Sequence, residues 1–433
     1  MLLFQPPWFS SHWKKTMALL IGVTLIILTV SDALLFHVLV PGIPHHLIKI
    51  QYMSYVTSDT SSNNFTNNTS FSEEEKKKQL YEPAEAHSFK SPYISTPKIY
   101  STNSSIRNSN FSRKHKVISC YNCPQWFILE SLNLHNRDFK VCPYSECIFD
   151  GGDRKSTADV LLFFVGALGK STLPRRPAGQ IWVKCYWESP AHYGYPTPYK
   201  PWMNAFNWTF NYRTDSDIFA PNNRLAWRNS AHLLPDSAYL EISQKKTRNV
   251  AWFVSNCHTQ SQREVYVKEM QKYIDVDIYG NCGTHSCKRA EEGECERALT
   301  STYKFYLSFE NSLCKDYVTE KLFRNIEFRS HIIPVVRGGF DYNKYIPSGA
   351  FINTANFSSA KDLSLYLKEL GQDHVRYARM LKEKDKLTTL NYKFDWCDIC
   401  EKVHTDNRTK VIPDIKEWSH KDACYAPADI GKS

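Results

Sequence analysis

The sequence contains neither Gly-x-Gly-x-x-Gly nor a Walker loop, so the two common glycine-rich phosphate cradles are excluded and any nucleotide is held another way. It has no dense block of lysine and arginine and no nucleic-acid motif, so nothing calls for a nucleic-acid partner. Glycine and proline supply only 16 and 21 of 433 residues, too few for a collagen-like or low-complexity chain. Thirteen cysteines are too sparse for a disulfide mini-scaffold. Hydrophobic residues at 42% and aromatics at 14% exclude a mostly disordered chain. The net charge of +10 is a mild basic bias that suits an anionic ligand. At one domain per ~150 residues the length suits two or three domains.

The N-terminus carries the one long apolar stretch. Residues 17–30 are uncharged, and after Ser31-Asp32 the chain is apolar again to Val40. A bilayer span needs ~20 residues, so 17–40 reads as a transmembrane signal anchor with Asp32 towards one end. Lys14 and Lys15 precede it, which leaves residues 1–16 as a cytoplasmic tail. The rival reading is a cleaved signal peptide ending near Ser31-x-Ala33. The apolar run resumes after that point and favours the anchor. The chain beyond the anchor is then lumenal. Asn-x-Ser/Thr acceptors stand at Asn64, Asn67, Asn68, Asn103, Asn110, Asn207, Asn356 and Asn407. In an oxidising lumen most cysteines read as disulfides, and the odd count leaves one thiol free or paired between chains.

Residues 41–115, rich in Ser, Asn, Thr, Lys and Pro, show no apolar period and read as a flexible lumenal stem. The globular part begins at 116. Asp159–Val165 and Ile181–Tyr186 read as buried strands of an α/β domain over 116–240. Over 241–433 the pattern alternates: strand Asn249–Ser255, helix 261–273, strand Val276–Tyr279, strand Tyr303–Phe309, helix 317–328, strand His331–Val336. Repeated strand–helix–strand units imply a parallel, doubly wound sheet, which takes ligands beyond the carboxyl ends of its strands.

Three segments carry chemistry. In YKFYLSFENSLCKDYVTEKLF a strand ends at Glu310-Asn311-Ser312, and a helix begins near Tyr317 with Thr319, Glu320 and Lys321 in its first turn. A helix N-terminus beside a lysine is an anion site, and Glu320 can accept hydrogen bonds from vicinal ribose hydroxyls. In AWFVSNCHTQSQR, Ser255 and Asn256 end a strand, and Arg263 near the next helix start can neutralise a phosphate. In YWESPAHYGY, Glu188 follows an apolar strand. Trp187 and its aromatic neighbours would shield a carboxylate acting as general base, and His192 is close enough in sequence to share the site.

Together these segments resemble the α1,3-fucosyltransferase family. YWESP-x-H, FNWTFNYRTDSDI, AWFVSNC and FYLSFENS…DYVTEK…IIPVV occur in family order over about 180–370. The resemblance implies a GT-B fold, with two Rossmann-like domains facing across a cleft: an acceptor side at 116–240 and a GDP-fucose side at 241–433. It implies a Golgi membrane enzyme that moves L-fucose from GDP-fucose, with inversion, to the 3-hydroxyl of GlcNAc on a glycan. Glu188 would be the catalytic base. Arg263 and Lys321 would bind the pyrophosphate and Glu320 the ribose. Asn311, Tyr317, Ser255 and Asn256 would neighbour the donor, with Trp187 and His192 on the acceptor side. Residues 212–217 would line the cleft without individual roles. Antennal GlcNAc, giving Lewis-type epitopes, is the favoured acceptor; the innermost Asn-linked GlcNAc is the alternative. A sugar-nucleotide-binding glycoprotein without catalysis is the reading from another class, and the joint presence of Glu188, Arg263, Glu320 and Lys321 weighs against it.

No metal is required on this reading, because fixed cations at the diphosphate do the work of an Asp-x-Asp clamp; Mn2+ would stimulate at most. Asp215-Ser216-Asp217 and Asp275-Val276-Asp277 have the clamp spacing, the second pair at a strand and so structural. Cys120-x-x-Cys123 and Cys397-x-x-Cys400 could formally make one zinc site. A lumenal setting favours disulfides, with Cys424 among the possible partners.

Overall fold

The computed structural model describes strand residues 26–30 and 33–37, and residues 89–94, 115–128, 139, 142–164, 173–193, 200–287, 292–327, 330–390, 396–407 and 410–431. The chain forms two compact units, Met1–Phe71 and Ser72–Ser433. In the first, β1 (Ile26–Val30) pairs antiparallel with β2 (Ala33–His37). Most of the anchor expected over 17–40 lies outside the described residues, as do Asn64, Asn67, Asn68, Asn103 and Asn110. Among the described residues no helix is long and apolar enough to cross a membrane.

The second unit contains two all-parallel sheets. The first runs in the order β4 (Cys147–Phe149), β3 (Lys116–Tyr121), β5 (Val160–Phe164), β6 (Ile181–Cys185), β7 (Trp208–Asn211), β8 (Ile218–Phe219). Alternate side chains feed opposite faces, the period-two consequence of the pleat. Leu162, Phe164, Val183 and Cys185 enter one core, while Leu161, Phe163 and Trp182 enter the other. Both faces are buried, which is why the central strand β5 reads as an unbroken apolar run.

The second sheet runs β11 (Val276–Tyr279), β10 (Arg248–Phe253), β12 (Tyr303–Phe309), β13 (Ile333–Arg337), β14 (Ile352–Asn353). Its helices are α1 (Asp236–Lys245), α2 (Arg263–Met270), α3 (Glu292–Thr302), α4 (Glu320–Glu327), α5 (Tyr342–Tyr345), α6 (Ala360–Gln372) and α7 (His374–Asp385). Strand order reverses between β10 and β12, and at such a switch point the loops at the carboxyl ends part to leave a crevice. An antiparallel pair, β9 (Leu225–Trp227) with β15 (Leu387–Thr389), binds the connection between the sheets to its return.

Two segments pack across the boundaries expected from sequence. Not all of residues 241–433 packs on the second sheet. After β15 the chain returns to the first sheet, where α8 (Trp396–Thr405) packs Trp396 against Phe149 and Phe210. Disulfides Cys142–Cys397 and Cys147–Cys400 lock it there. Helix α9 (Ile415–His420) covers the opposite face through Ile415 and Trp418. Contacts between residues so distant in sequence leave no local periodicity to read. Within the stretch expected as stem, Tyr93 is fully buried among Phe219, Phe340 and Tyr345, and its carbonyl accepts from the Leu225 N–H at 2.7 Å. A lone aromatic anchor in a polar stretch has no period either.

The formal zinc site is overturned. Cys120 pairs with Cys123, and Cys397 and Cys400 each find another partner. Further bridges join Cys257–Cys282, Cys287–Cys295 and Cys314–Cys424. Buried Cys185 is the odd thiol left over.

Trp396 is the largest side chain that α8 buries against the first sheet, so Trp396→Ala should cost ~3–5 kcal/mol, the range for truncating a buried aromatic. Urea denaturation followed by circular dichroism measures it. A loss below about 1 kcal/mol would show that the two disulfides alone hold the helix.

Candidate active site

Glu188 stands just beyond the carboxyl end of β6, in the loop leading to Ser189-Pro190. Its Oε1 accepts from the Ser189 N–H at 2.9 Å, which turns the side chain back over its own loop. The other two donors to Oε1 come from the far sheet: the Tyr317 hydroxyl at 2.5 Å and Asn311 Nδ2 at 3.5 Å. Among the described residues these three bonds use Oε1 alone, so Oε2 stays available. Burial, then the charges of Glu310 and Glu188, hold the Tyr317 hydroxyl well above the ordinary tyrosine range, so it stays a donor.

Asn311 and Tyr317 lie on the loop between β12 and α4. Ser189 Oγ donates to Ser312 Oγ at 2.7 Å. Asp316 adopts φ +59 and accepts both the N–H and hydroxyl of Thr214, at 2.9 and 2.7 Å. The last residues of the chain brace the loop from behind. Cys424 is bonded to Cys314, Lys315 N–H donates to the Ala423 carbonyl at 2.7 Å, and Tyr425 N–H donates to the Leu313 carbonyl at 3.0 Å. Arg337 holds Asp429 with two bonds of 2.7 Å.

On the same loop, Thr319 and α4 begin the cation site. Lys321 Nζ reaches Thr319 Oγ1 at 2.7 Å, Glu310 Oε2 at 3.2 Å and Glu320 Oε1 at 3.3 Å. Burial pulls this ammonium down, but Glu310 and Glu320 more than offset it, so its pKa is raised. Glu320 is 62% exposed and Lys321 22%. Arg263, 4% exposed, opens α2 and donates to the Phe309 carbonyl at 2.7 Å and the Asn256 carbonyl at 3.3 Å. Its Nε is buried without a partner among the described residues. Ser255 is exposed at the end of β10. Beside these elements, Phe253, Tyr279, Leu299 and Tyr303 line a cavity of about 270 Å³.

The acceptor-side candidates fare differently. Trp187 packs into the first core, stacked on Phe127 with its indole N–H on the Ala220 carbonyl at 2.8 Å, and also lies against the Tyr212, Cys314 and Tyr317 cluster. His192 is exposed, and its backbone N–H donates to the Ser189 carbonyl at 3.0 Å. Asp215 is taken by Arg213 and Lys315, Asp217 by Thr209 and Lys410. Asp277 is taken by Arg248 and Tyr303, and Asp275 is exposed. Sequence reasoning quoted Glu310 but gave it no role. It is 0% exposed, and the signal was there: one acid ending the apolar strand YKFYLSF.

The family models for the N-terminal domain of fucosyltransferases and for the C-terminal domain of glycosyltransferase family 10 (fucosyltransferase) match residues 113–223 and 243–418. The chain belongs to this family. Among its relatives, Glycoprotein 3-alpha-L-fucosyltransferase A of Drosophila melanogaster is 36% identical over 285 residues, 64% of this chain and 55% of the relative. Alpha-(1,3)-fucosyltransferase C of the same organism is 33% identical over 307 residues, 65% of this chain and 71% of the relative. A crystal structure of an alpha1,3-fucosyltransferase with GDP-fucose aligns at a TM-score of 0.42 with 17% identity, covering 70% of this chain and 94% of that one.

The acceptor asparagines described differ in what surrounds them. Asn356 and Asn407 are exposed. Asn207 is half-buried, its Nδ2 donates to the Lys410 carbonyl at 2.7 Å, and Trp208 and Thr209 are buried in β7. Glycopeptide mass spectrometry of protein from a secretory cell should find a glycan on Asn356 and none on Asn207. A glycan on Asn207 in folded protein would show that this edge opens.

Proposed function

We propose that the protein transfers L-fucose from GDP-fucose to the 3-hydroxyl of a GlcNAc residue on glycoprotein or glycolipid glycans, with inversion at the anomeric carbon. The two parallel sheets act as the two domains of a GT-B enzyme, with the donor on β10–β14 and the acceptor on β3–β8. The observation that carries this reading is Glu188, a carboxylate from one sheet oriented by Tyr317 and Asn311 from the other. A base must meet a donor and an acceptor held by different domains, and here one carboxylate touches both.

The chemistry follows from the charges. The acceptor O3–C1 bond forms as the bond from C1 to the diphosphate oxygen breaks. The O3 proton passes to Glu188 Oε2, and the bonding pair leaves with GDP. Negative charge grows on the leaving diphosphate, where Lys321 and Arg263 offset it; fixed charge placed where charge develops stabilises a transition state directly. Glu320, exposed at the start of α4, takes the ribose hydroxyls. The aromatic cavity beside β10 and β11 accommodates the guanine ring. Two protein cations make a metal unnecessary for the leaving group, and Mn2+ acts as a stimulant at most. Residues 17–40 anchor the chain in a Golgi membrane with the catalytic unit in the lumen. The antennal GlcNAc is the acceptor proposed, giving Lewis-type products.

The full chain, purified in detergent, is incubated with GDP-fucose and either N-acetyllactosamine or a trimmed Asn-linked glycan, and products are read by linkage-sensitive mass spectrometry. Fucose should appear on the antennal GlcNAc. Glu188→Gln should lower kcat by roughly 10²–10⁴-fold, the usual worth of a general base. Tyr317→Phe should lower kcat/KM by about 10-fold or more, as for a hydrogen bond to a charged group, with the thermal midpoint little changed. Fucose on the innermost GlcNAc would replace the acceptor and keep the mechanism. Full activity in Glu188→Gln would remove Glu188 as the base.

A further inference from the structure

Glu310 has no role in that scheme, and its setting is unusual for a residue serving stability. Its carboxylate is fully buried at the carboxyl end of β12. Burial raises its pKa, while Lys321 and the Thr319 backbone N–H and hydroxyl work against that rise. The walls fit it closely. A Cβ added at Gly338 would come within 3.1 Å of Glu310 Cγ and 2.6 Å of the Tyr342 hydroxyl. Every recorded bond of the carboxylate runs to the first residues of the cation site. Oε1 accepts from the Thr319 N–H at 2.8 Å, both oxygens accept from Thr319 Oγ1 at 3.1 and 2.9 Å, and Oε2 meets Lys321 Nζ at 3.2 Å.

A buried ion pair is a poor device for stability, since a well-packed neutral pair serves as well or better. It is a good device for fixing a lysine. A free lysine has four flexible bonds and loses their rotamer entropy on being ordered. Here the three protons of the ammonium meet Thr319 Oγ1, Glu310 Oε2 and Glu320 Oε1. Two of these partners are buried and fixed. The third, Glu320, is exposed. A nucleotide whose ribose engages Glu320 takes away only that third partner and presents a phosphate oxygen in its place.

We infer that Glu310 is a positioning residue: with Thr319 it fixes the Lys321 ammonium before the donor arrives, so that binding exchanges the Glu320 contact for a diphosphate oxygen. This rests on the fucosyl-transfer reading of the site. Lys321 is thereby a preorganised charge instead of a mobile one, and its effect on the leaving group depends on the carboxylate behind it.

A double-mutant cycle isolates this dependence. Wild type, Glu310→Gln, Lys321→Met and the double variant are assayed for kcat and for KM of GDP-fucose and of the acceptor. GDP affinity is read by calorimetry and folding by thermal midpoint. Glu310→Gln keeps the shape and removes the charge. It should lower kcat/KM for GDP-fucose by about 10–100-fold, leaving the acceptor KM within about twofold. In the Lys321→Met background the same change should lower it less than about twofold further. An undiminished loss in that background, or an equal rise in both KM values, overturns the inference. If Glu310→Gln does not fold, Thr319→Val carries the test by removing the hydroxyl shared by Glu310 and Lys321. It should impair the donor parameters alone, and equal damage to both substrates overturns the inference. A wild type that binds no GDP overturns the fucosyl-transfer reading and this inference with it. A GDP-binding wild type with additive variants overturns this inference alone.

Discussion

A single hydrogen bond, Tyr317 to Glu188, constrains how the two sheets share a site. It needs the loop between β12 and α4 to reach the end of β6 with angstrom accuracy. A free loop of that length samples many conformations and would bring the hydroxyl there only occasionally. The structure removes that freedom from both sides. Thr214 and Ser189 tie the loop to the first sheet, while Cys424, Ala423 and Tyr425 tie it to the chain end. The chain end is fixed in turn by Asp429 on Arg337, whose other nitrogen donates to the Ser261 carbonyl beside α2. The return of the chain through α8 and α9 is therefore more than packing. It delivers residues 423–429 to the loop that orients Glu188.

The second constraint is electrostatic. The diphosphate site proposed above needs cations already in place, yet buried cations without counter-charges are costly. Arg263 meets this by donating to two strand-end carbonyls, and burial still lowers its pKa. Lys321 meets it with carboxylates, which raise its pKa instead. Two solutions in neighbouring residues leave one cation neutralised by dipoles and the other by full charges. Both stay on the strand-end side of the second sheet, where a parallel sheet opens to ligand.

The sequence made the interior of each sheet legible and the crossing between them illegible. Val160–Phe164 falls where an unbroken apolar run places a strand, because a strand buried on both faces has little choice of composition. Helix α4 begins at Glu320, three residues after the tyrosine that sequence takes as its start, because Tyr317 and Val318 belong to the brace rather than the helix. The polar segments around Glu188, Arg263 and Lys321 stand out as chemistry at strand ends. What they touch does not. That Tyr317 reaches Glu188, that Trp187 turns into the core, and that Trp396 returns to the first sheet are contacts between distant residues. Glu310 escaped for a different reason: its place at the end of an apolar strand is legible, but its complete burial is not.

Three carboxylates crowd this region, and their surroundings sort them. Glu310 is sealed from solvent and spends both oxygens on Thr319 and Lys321. Glu320 is open to solvent but lies 3.3 Å from the Lys321 ammonium, and a carboxylate beside a cation is a weaker base. Among the described residues Glu188 has no cationic partner, and it is only half-buried and keeps one oxygen unspent. A proton taken from an acceptor hydroxyl needs a carboxylate that is reachable, uncommitted and fixed in direction. The first two would fail on access or on charge. Glu188 meets all three conditions, and it meets the last only because Tyr317 on the opposite sheet holds its other oxygen.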